Sequence, residues 1–126
     1  MSLATILWVD DEIESLQSQK LFLENKGYNV HTLTNGFDAV NYVKEHPVDV
    51  VMAHQDLPLL PGVGLLALVR EEFPAVRRVL VTREADAEQA PTTSVAHSVL
   101  REPWDRSHLA TAVAIPSAGV SAGRNR

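Results

Sequence analysis

Apolar residues along the chain fall into runs of two kinds. Short runs rich in β-branched residues are bounded by acidic, Gly or Pro positions, and longer runs carry apolar residues at helical spacing. Ala4 to Val9 reads as a buried strand ending at Asp10-Asp11-Glu12. A helix is expected over residues 13 to 26, with Ile13, Leu16 and Leu23 on one face and Gly27 as its stop. Tyr28 to Leu33 alternates as a second strand, and Asn35-Gly36 turns the chain. Phe37, Val40 and Val43 define the inner side of a second helix that ends before Pro47. Val48 to Ala53 is apolar throughout, as expected of a strand covered on both faces of a parallel sheet, and His54 falls where it stops. Asp56, Pro58, Pro61 and Gly62 enforce a loop. Leu65, Leu66, Val69 and Phe73 mark a third helix from about Gly62 to Phe73, and Val76 to Val81 a fourth strand ending at Thr82.

The pattern weakens over residues 83 to 97, where Pro91 interrupts a short helical run and only an irregular helix is expected. Ser98 to Arg101 is a brief fifth strand before Glu102-Pro103-Trp104-Asp105. A last helix starting near Asp105 or Ser107 carries Leu109, Ala112 and Val113 and ends at Pro116. Five strands alternating with helices imply an α/β fold, a five-stranded parallel sheet doubly wound with helices on both faces. Right-handed crossovers then gather the carboxyl ends of all strands on one edge. Asp10, Asp11, His54, Thr82 and Glu102 all lie at or just past such ends, where open sheets of this kind hold their chemistry.

Length and composition narrow the picture. The chain has 126 residues, the size of one domain, expected over 1–116. Residues 117–126 are Gly/Ser/Ala-rich and read as a disordered tail or the start of a linker, while the first three residues carry no weight. A net charge of −5 argues against direct nucleic-acid or anionic-membrane binding. There is no cysteine, so disulfides and thiolate metal sites are excluded, and a cytoplasmic setting is expected. No apolar run approaches membrane-spanning length, and the N-terminus lacks a signal-peptide pattern.

Taken in order, Asp10-Asp11, Leu57-Pro58 with Gly62, Thr82, and Pro103-Trp104 resemble the receiver domains of two-component response regulators, the CheY-like family, across roughly residues 4 to 115. The resemblance implies a flavodoxin-like (βα)5 fold and a signalling module rather than an enzyme. In that family an aspartate after strand three accepts a phosphoryl group from a histidine kinase, and a lysine after strand five contacts it. Here His54 falls on the phosphoacceptor position and Glu102 on the lysine position. Val99 stands where many members carry the switch aromatic, and Arg83 where a residue after Thr82 is commonly small. These departures resemble the atypical, pseudo-receiver subset, which signals without aspartyl phosphorylation. The implied partners are a protein or a fused output domain, with a homodimer as an option and no nucleic acid or membrane contact by this domain. The family's partner face of helix four, strand five and helix five is altered here by Pro91 and a short last helix, so partner choice does not carry over.

Asp10, Asp11 and Glu102 with a neutral His54 sum to −3, and protonating His54 brings the sum to −2. At about 4 Å and an effective dielectric near 20, an opposite-charge pair is worth roughly 4 kcal/mol before desolvation. A charged His54 held by carboxylates is therefore expected to stand in for metal and phosphoryl group; in the competing arrangement Arg83 folds over the site. No cofactor is required. Asp10, Asp11 and the Asp56 backbone carbonyl are the candidate oxygen donors for a weakly held Mg²⁺, and adding His54 turns the set toward Zn²⁺ or Mn²⁺. Two other functions use the same residues: a small metal-dependent hydrolase with His54 as base, and phosphotransfer through His54 itself. Asp56 as a substitute acceptor points the wrong way along the loop.

Plainer roles stand beside these. The acidic triplet suits a helix N-terminus, His54 a hydrogen-bonded structural histidine, Thr82 a cap, and Trp104 surface packing. His31, His46, His97 and His108 read as surface residues, and Arg77-Arg78 as a charged strand start.

Overall fold

The computed structural model describes residues 4–83 and 95–114. Within them lie five strands: β1 (Thr5–Val9), β2 (Asn29–Leu33), β3 (Val50–His54), β4 (Arg77–Arg83) and β5 (Ser98–Glu102). Four α-helices accompany them: α1 (Gln17–Asn25), α2 (Gly36–Glu45), α3 (Gly62–Glu72) and α4 (Arg106–Val113). The strands form one parallel sheet in the order β2-β1-β3-β4-β5. The order reverses between β1 and β3, which opens a crevice at their carboxyl ends. The irregular helix expected between Arg83 and His97 falls mainly on residues 84–94, which, like the tail at 117–126, lie outside the described residues.

Successive strand residues point to opposite faces, so each strand feeds two cores. Leu7, Val9, Val51, Ala53 and Leu80 pack on one face against Ala39 and Val43 of α2 and Leu65, Leu66 and Val69 of α3. Ile6, Trp8, Val50, Met52, Val79, Val81 and Leu100 pack on the other against Leu23 of α1 and Leu109, Ala112 and Val113 of α4. Continuing that parity by two residues puts Asp10, His54 and Glu102 on the α1/α4 side of the sheet. Thr82, two residues after Leu80, falls on the α2/α3 side and is buried.

Several local expectations are corrected. Residues 13–16 form a 3-10 turn, and the α-helix begins only at Gln17. No side chain caps either start, because Glu12 and Leu16 occupy the cap positions. Phe37 is exposed; the inner face of α2 is Gly36, Ala39 and Val43. Asn35 is the N-cap, its Oδ1 accepting the Asp38 N–H at 2.9 Å, which rotates Phe37 outward. His54, Thr82, Arg83 and Glu102 belong to their strands rather than to the loops after them.

Arg77 and Arg78 are not a solvated strand start. Arg78 is buried, and its guanidinium donates to the carbonyls of Val95 (2.7 Å), Val76 (3.0 Å) and Pro74 (3.2 Å). Arg77 donates to the Ala112 carbonyl at 3.0 Å and to Ser98 Oγ at 2.6 Å. His97, half-buried rather than on the surface, accepts the Arg78 backbone N–H on Nδ1 at 3.0 Å. Together they fasten the start of β5 to β4 at the edge opposite the crevice.

Candidate functional site at the carboxyl edge of the sheet

His54 is the last residue of β3, paired in register with Val81 of β4. Its position depends on Gly62. A Cβ on Gly62 would lie 2.4 Å from the His54 carbonyl oxygen and 2.8 Å from its carbon, so only glycine lets α3 start this close to β3. Gln55 secures the same junction: its carbonyl accepts the Gly62 N–H at 3.2 Å, and its side chain accepts the Val63 N–H at 2.9 Å. Gln55 gave no signal in the sequence, being one polar residue in a loop.

The His54 ring makes two hydrogen bonds. Nε2 lies 3.0 Å from Glu102 Oε1, and Nδ1 accepts the Asp56 backbone N–H at 3.0 Å. An Nδ1 that accepts carries no proton, so the ring is the neutral tautomer with its proton on Nε2, donated to Glu102. The expected charged imidazole is corrected by geometry: the Asp56 N–H occupies the Nδ1 lone pair.

Asp10 is buried at the end of β1, its Oδ1 accepting the Glu12 N–H at 2.9 Å. Burial holds its carboxyl above the ordinary value, opposed by the Glu12 N–H and by His54, while Asp11 and Glu102 add to the rise. Asp10, Asp11, Glu12, Ser15, Leu16, His54, Asp56, Arg83 and Glu102 line one cavity of about 210 Å³. The topology thus brings Asp10, Asp11, His54, Asp56, Arg83 and Glu102 together. Arg83 does not fold over the imidazole: its Nε sits 3.8 Å from Asp56 Oδ2, with both side chains largely exposed at the rim.

Thr82 is buried and outside the cavity's lining, and Val99 of β5 pairs with Leu80 of β4. The Glu102–Pro103 peptide is cis. Trp104 is half-buried and packs on Trp8, ring centroids 6.4 Å apart, at the margin of the α1/α4-side core. Among the described residues, no three His, Asp or Glu side chains come together as a metal site.

The sequence matches the response regulator receiver domain family over residues 6–114. The chain belongs to that family. Response regulator GtcR of Aneurinibacillus migulanus is 33% identical over 85 residues, which is 68% of this receiver domain chain and 35% of that protein. The hydrogenase transcriptional regulatory protein HoxA of Cupriavidus necator is 28% identical over 128 residues, 98% of this chain and 26% of the relative. The receiver domain chain therefore spans about a third or less of the length of these relatives.

Among solved structures, the signal receiver domain of an HD domain-containing protein from Pseudomonas fluorescens superposes with a TM-score of 0.80 at 27% identity, covering 87% of this chain and 90% of that one. The receiver domain of sensor histidine kinase PA1611 from Pseudomonas aeruginosa, described with magnesium in its active-site cleft, has a TM-score of 0.75 at 23% identity, covering 86% and 92%. At that identity the second likeness is one of fold. No helix among the described residues is long and apolar enough to cross a membrane.

Proposed function

We propose that this receiver domain signals through protein–protein contact without phosphorylation of an aspartate at the end of β3. The reading is carried by His54. An aspartyl phosphate needs a carboxylate at that position, and the imidazole present there has both nitrogens engaged. Glu102, at the position the family resemblance assigns to a phosphoryl-binding lysine, would repel a phosphoryl group.

The same two hydrogen bonds weigh against the alternatives. A general base and a phosphorylated histidine each need a ring nitrogen with a free lone pair facing the reactant. Here the only unprotonated nitrogen, Nδ1, is occupied by a backbone N–H. A divalent ion would find Asp10, Asp11 and the Asp56 carbonyl, while Glu102 is bonded to His54 and Asp56 lies beside Arg83, so no third carboxylate converges with the first two among the described residues. That set falls short of the oxygen ligands Mg²⁺ prefers and would hold it weakly.

The output lies with a protein partner or with a domain fused to this one, as the greater length of the relatives suggests.

The test is intact mass after incubation with a small acyl-phosphate donor and Mg²⁺, beside an aspartate-bearing receiver as positive control. No mass gain is expected. A gain of one phosphoryl group, mapped to Asp10, Asp11, Asp56 or His54, would overturn the reading.

A further inference from the structure

The start of α2 carries a chemically labile pair of residues. Asn35-Gly36 is the single Asn-Gly dipeptide of the chain. A glycine amide nitrogen, unshielded by any Cβ, is well placed to attack the side-chain carbonyl carbon of a preceding asparagine. The fold leaves little room for another residue at position 36. A Cβ on Gly36 would lie 2.9 Å from Leu60 Cδ2 and 3.1 Å from Leu60 Cβ. Asn35 is half-buried, and Phe37 and Asp38 just beyond are exposed, so water reaches this helix start.

The same helix start restrains the reaction. Asn35 Oδ1 accepts the Asp38 N–H at 2.9 Å, and Asn35 Nδ2 donates to Asp38 Oδ2 at 2.8 Å. Both ends of the side-chain amide are thus held by Asp38, away from the Gly36 nitrogen. Attack by that nitrogen requires the amide to turn and both contacts to break. Losing them uncaps α2, so the first turn has to fray before the chemistry begins.

We propose that Asn35 is a deamidation site gated by its own helix cap. In the frayed turn the Gly36 nitrogen bonds to Asn35 Cγ, the C–Nδ2 bond breaks, and Nδ2 leaves as ammonia with the Gly36 amide proton. Water then opens the cyclic imide at either carbonyl, leaving an aspartyl or an isoaspartyl residue at position 35. The aspartyl product keeps an oxygen for the Asp38 N–H but sets a carboxylate against Asp38 Oδ2. The isoaspartyl product lengthens the main chain by one atom ahead of Gly36. Gly36 is buried under Leu60 without room for a methyl group, so the longer chain reseats only by moving Leu60. Leu60 lies on the loop whose Asp56 N–H is held by His54, and the modification therefore reaches toward the carboxyl edge of the sheet. None of this depends on whether the domain is phosphorylated.

The test holds the purified domain at mildly alkaline pH, folded and in urea. Asn35 is followed by peptide mass spectrometry, and isoaspartate by enzymatic methyl labelling. Deamidation at Asn35 is expected in both samples and more slowly in the folded one. Asp38→Ala, at an exposed position, removes the acceptor of Nδ2. It is expected to speed the folded-state reaction about fivefold, the scale of one hydrogen bond, and to leave the rate in urea unchanged. Asn35→Ser keeps a capping oxygen without a side-chain amide and is expected to abolish isoaspartate at this position. In the isoaspartyl fraction of the ¹⁵N-labelled domain the Leu60 amide signal is expected to shift. Four results would overturn the proposal: no deamidation at Asn35 in the folded domain, equal rates folded and in urea, an unchanged folded-state rate in Asp38→Ala, or an isoaspartyl fraction whose Leu60 signal matches that of the parent.

Discussion

The bond between His54 and Glu102 joins β3 to β5 across β4, and its strength follows from its surroundings. A hydrogen bond to a charged group contributes about 1.5–3 kcal/mol when well shielded. Here the imidazole is 12% exposed and the Glu102 side chain 35%, and the adjoining cavity of about 210 Å³ admits water. Water can replace the lost acceptor, which moves the value to the lower bound of that range or under it, about 1–1.5 kcal/mol. Glu102 also sits near Asp10 and disfavours its ionised form, so deleting Glu102 relieves some repulsion. Glu102→Ala alone is therefore expected to cost about 1 kcal/mol. Glu102→Gln keeps an amide oxygen for the Nε2 proton and is expected to cost less. A double-mutant cycle with His54→Ala isolates the pair. Urea denaturation at pH 7 with unchanged m-values is the assay, and the expected coupling is about 1–1.5 kcal/mol. A coupling below about 0.3 kcal/mol, within the error of additivity, would refute a structural role for this bond.

Other perturbations test the neighbouring features. Gly62→Ala drives a methyl into the His54 carbonyl and is expected to cost at least about 2 kcal/mol in thermal or urea unfolding, since backbone cannot yield cheaply. Burial, then the charges of Arg78 and Arg77, hold the His97 pKa below its ordinary 6.5, so the unfolded chain binds a proton there more readily than the folded one. Its contribution is present above pH 6.5 and lost as pH falls below it; His97→Gln, which can still accept the Arg78 N–H, is expected to flatten that slope. Asp10 has the opposite sign: its pKa is raised, so its ionised form disfavours the fold at neutral pH. Asp10→Asn keeps an oxygen for the Glu12 N–H and is expected to raise the melting temperature at pH 7, the gain disappearing below about pH 3.8. Trp8 is fully buried, with no partner for Nε1 among the described residues. Trp8→Phe loses packing but also removes that orphan donor, worth about 1–3 kcal/mol, so its net cost by urea unfolding is expected below about 1 kcal/mol.

The periodicity of apolar residues was enough to order five strands and place the polar residues at their carboxyl ends, because both signals are local. It could not say which face each strand residue takes, since β3 is apolar on both sides and a run without alternation has no readable parity. That parity separates Thr82 from Asp10, His54 and Glu102. Phe37 misled for a related reason: helical spacing admits more than one inner face, and the Asn35 cap decided for Ala39 and Val43. The Arg78 clasp was hidden because its acceptors, the carbonyls of Pro74, Val76 and Val95, are backbone atoms of two separate segments. A guanidinium between apolar neighbours in a strand was the available clue. The charge of His54 went wrong because side-chain counting omits backbone donors, and the Asp56 N–H is one.

That omission also alters how the site holds its shape. Replacing an anion by a cation and a cation by an anion would conserve electrostatic attraction between β3 and β5, and carboxylates alone would then suffice. The geometry instead uses one neutral ring as a two-sided connector, donating to Glu102 of β5 and accepting from the loop that leads to α3. A protonated ring would strengthen the first contact. It would also set an N–H against the Asp56 N–H and release the loop. A neutral His54 satisfies both contacts at once, without drawing on a metal or an incoming anion. The carboxyl edge is thus braced from within by groups the chain itself supplies, and a change of state there has to begin by breaking one of two hydrogen bonds to the same ring.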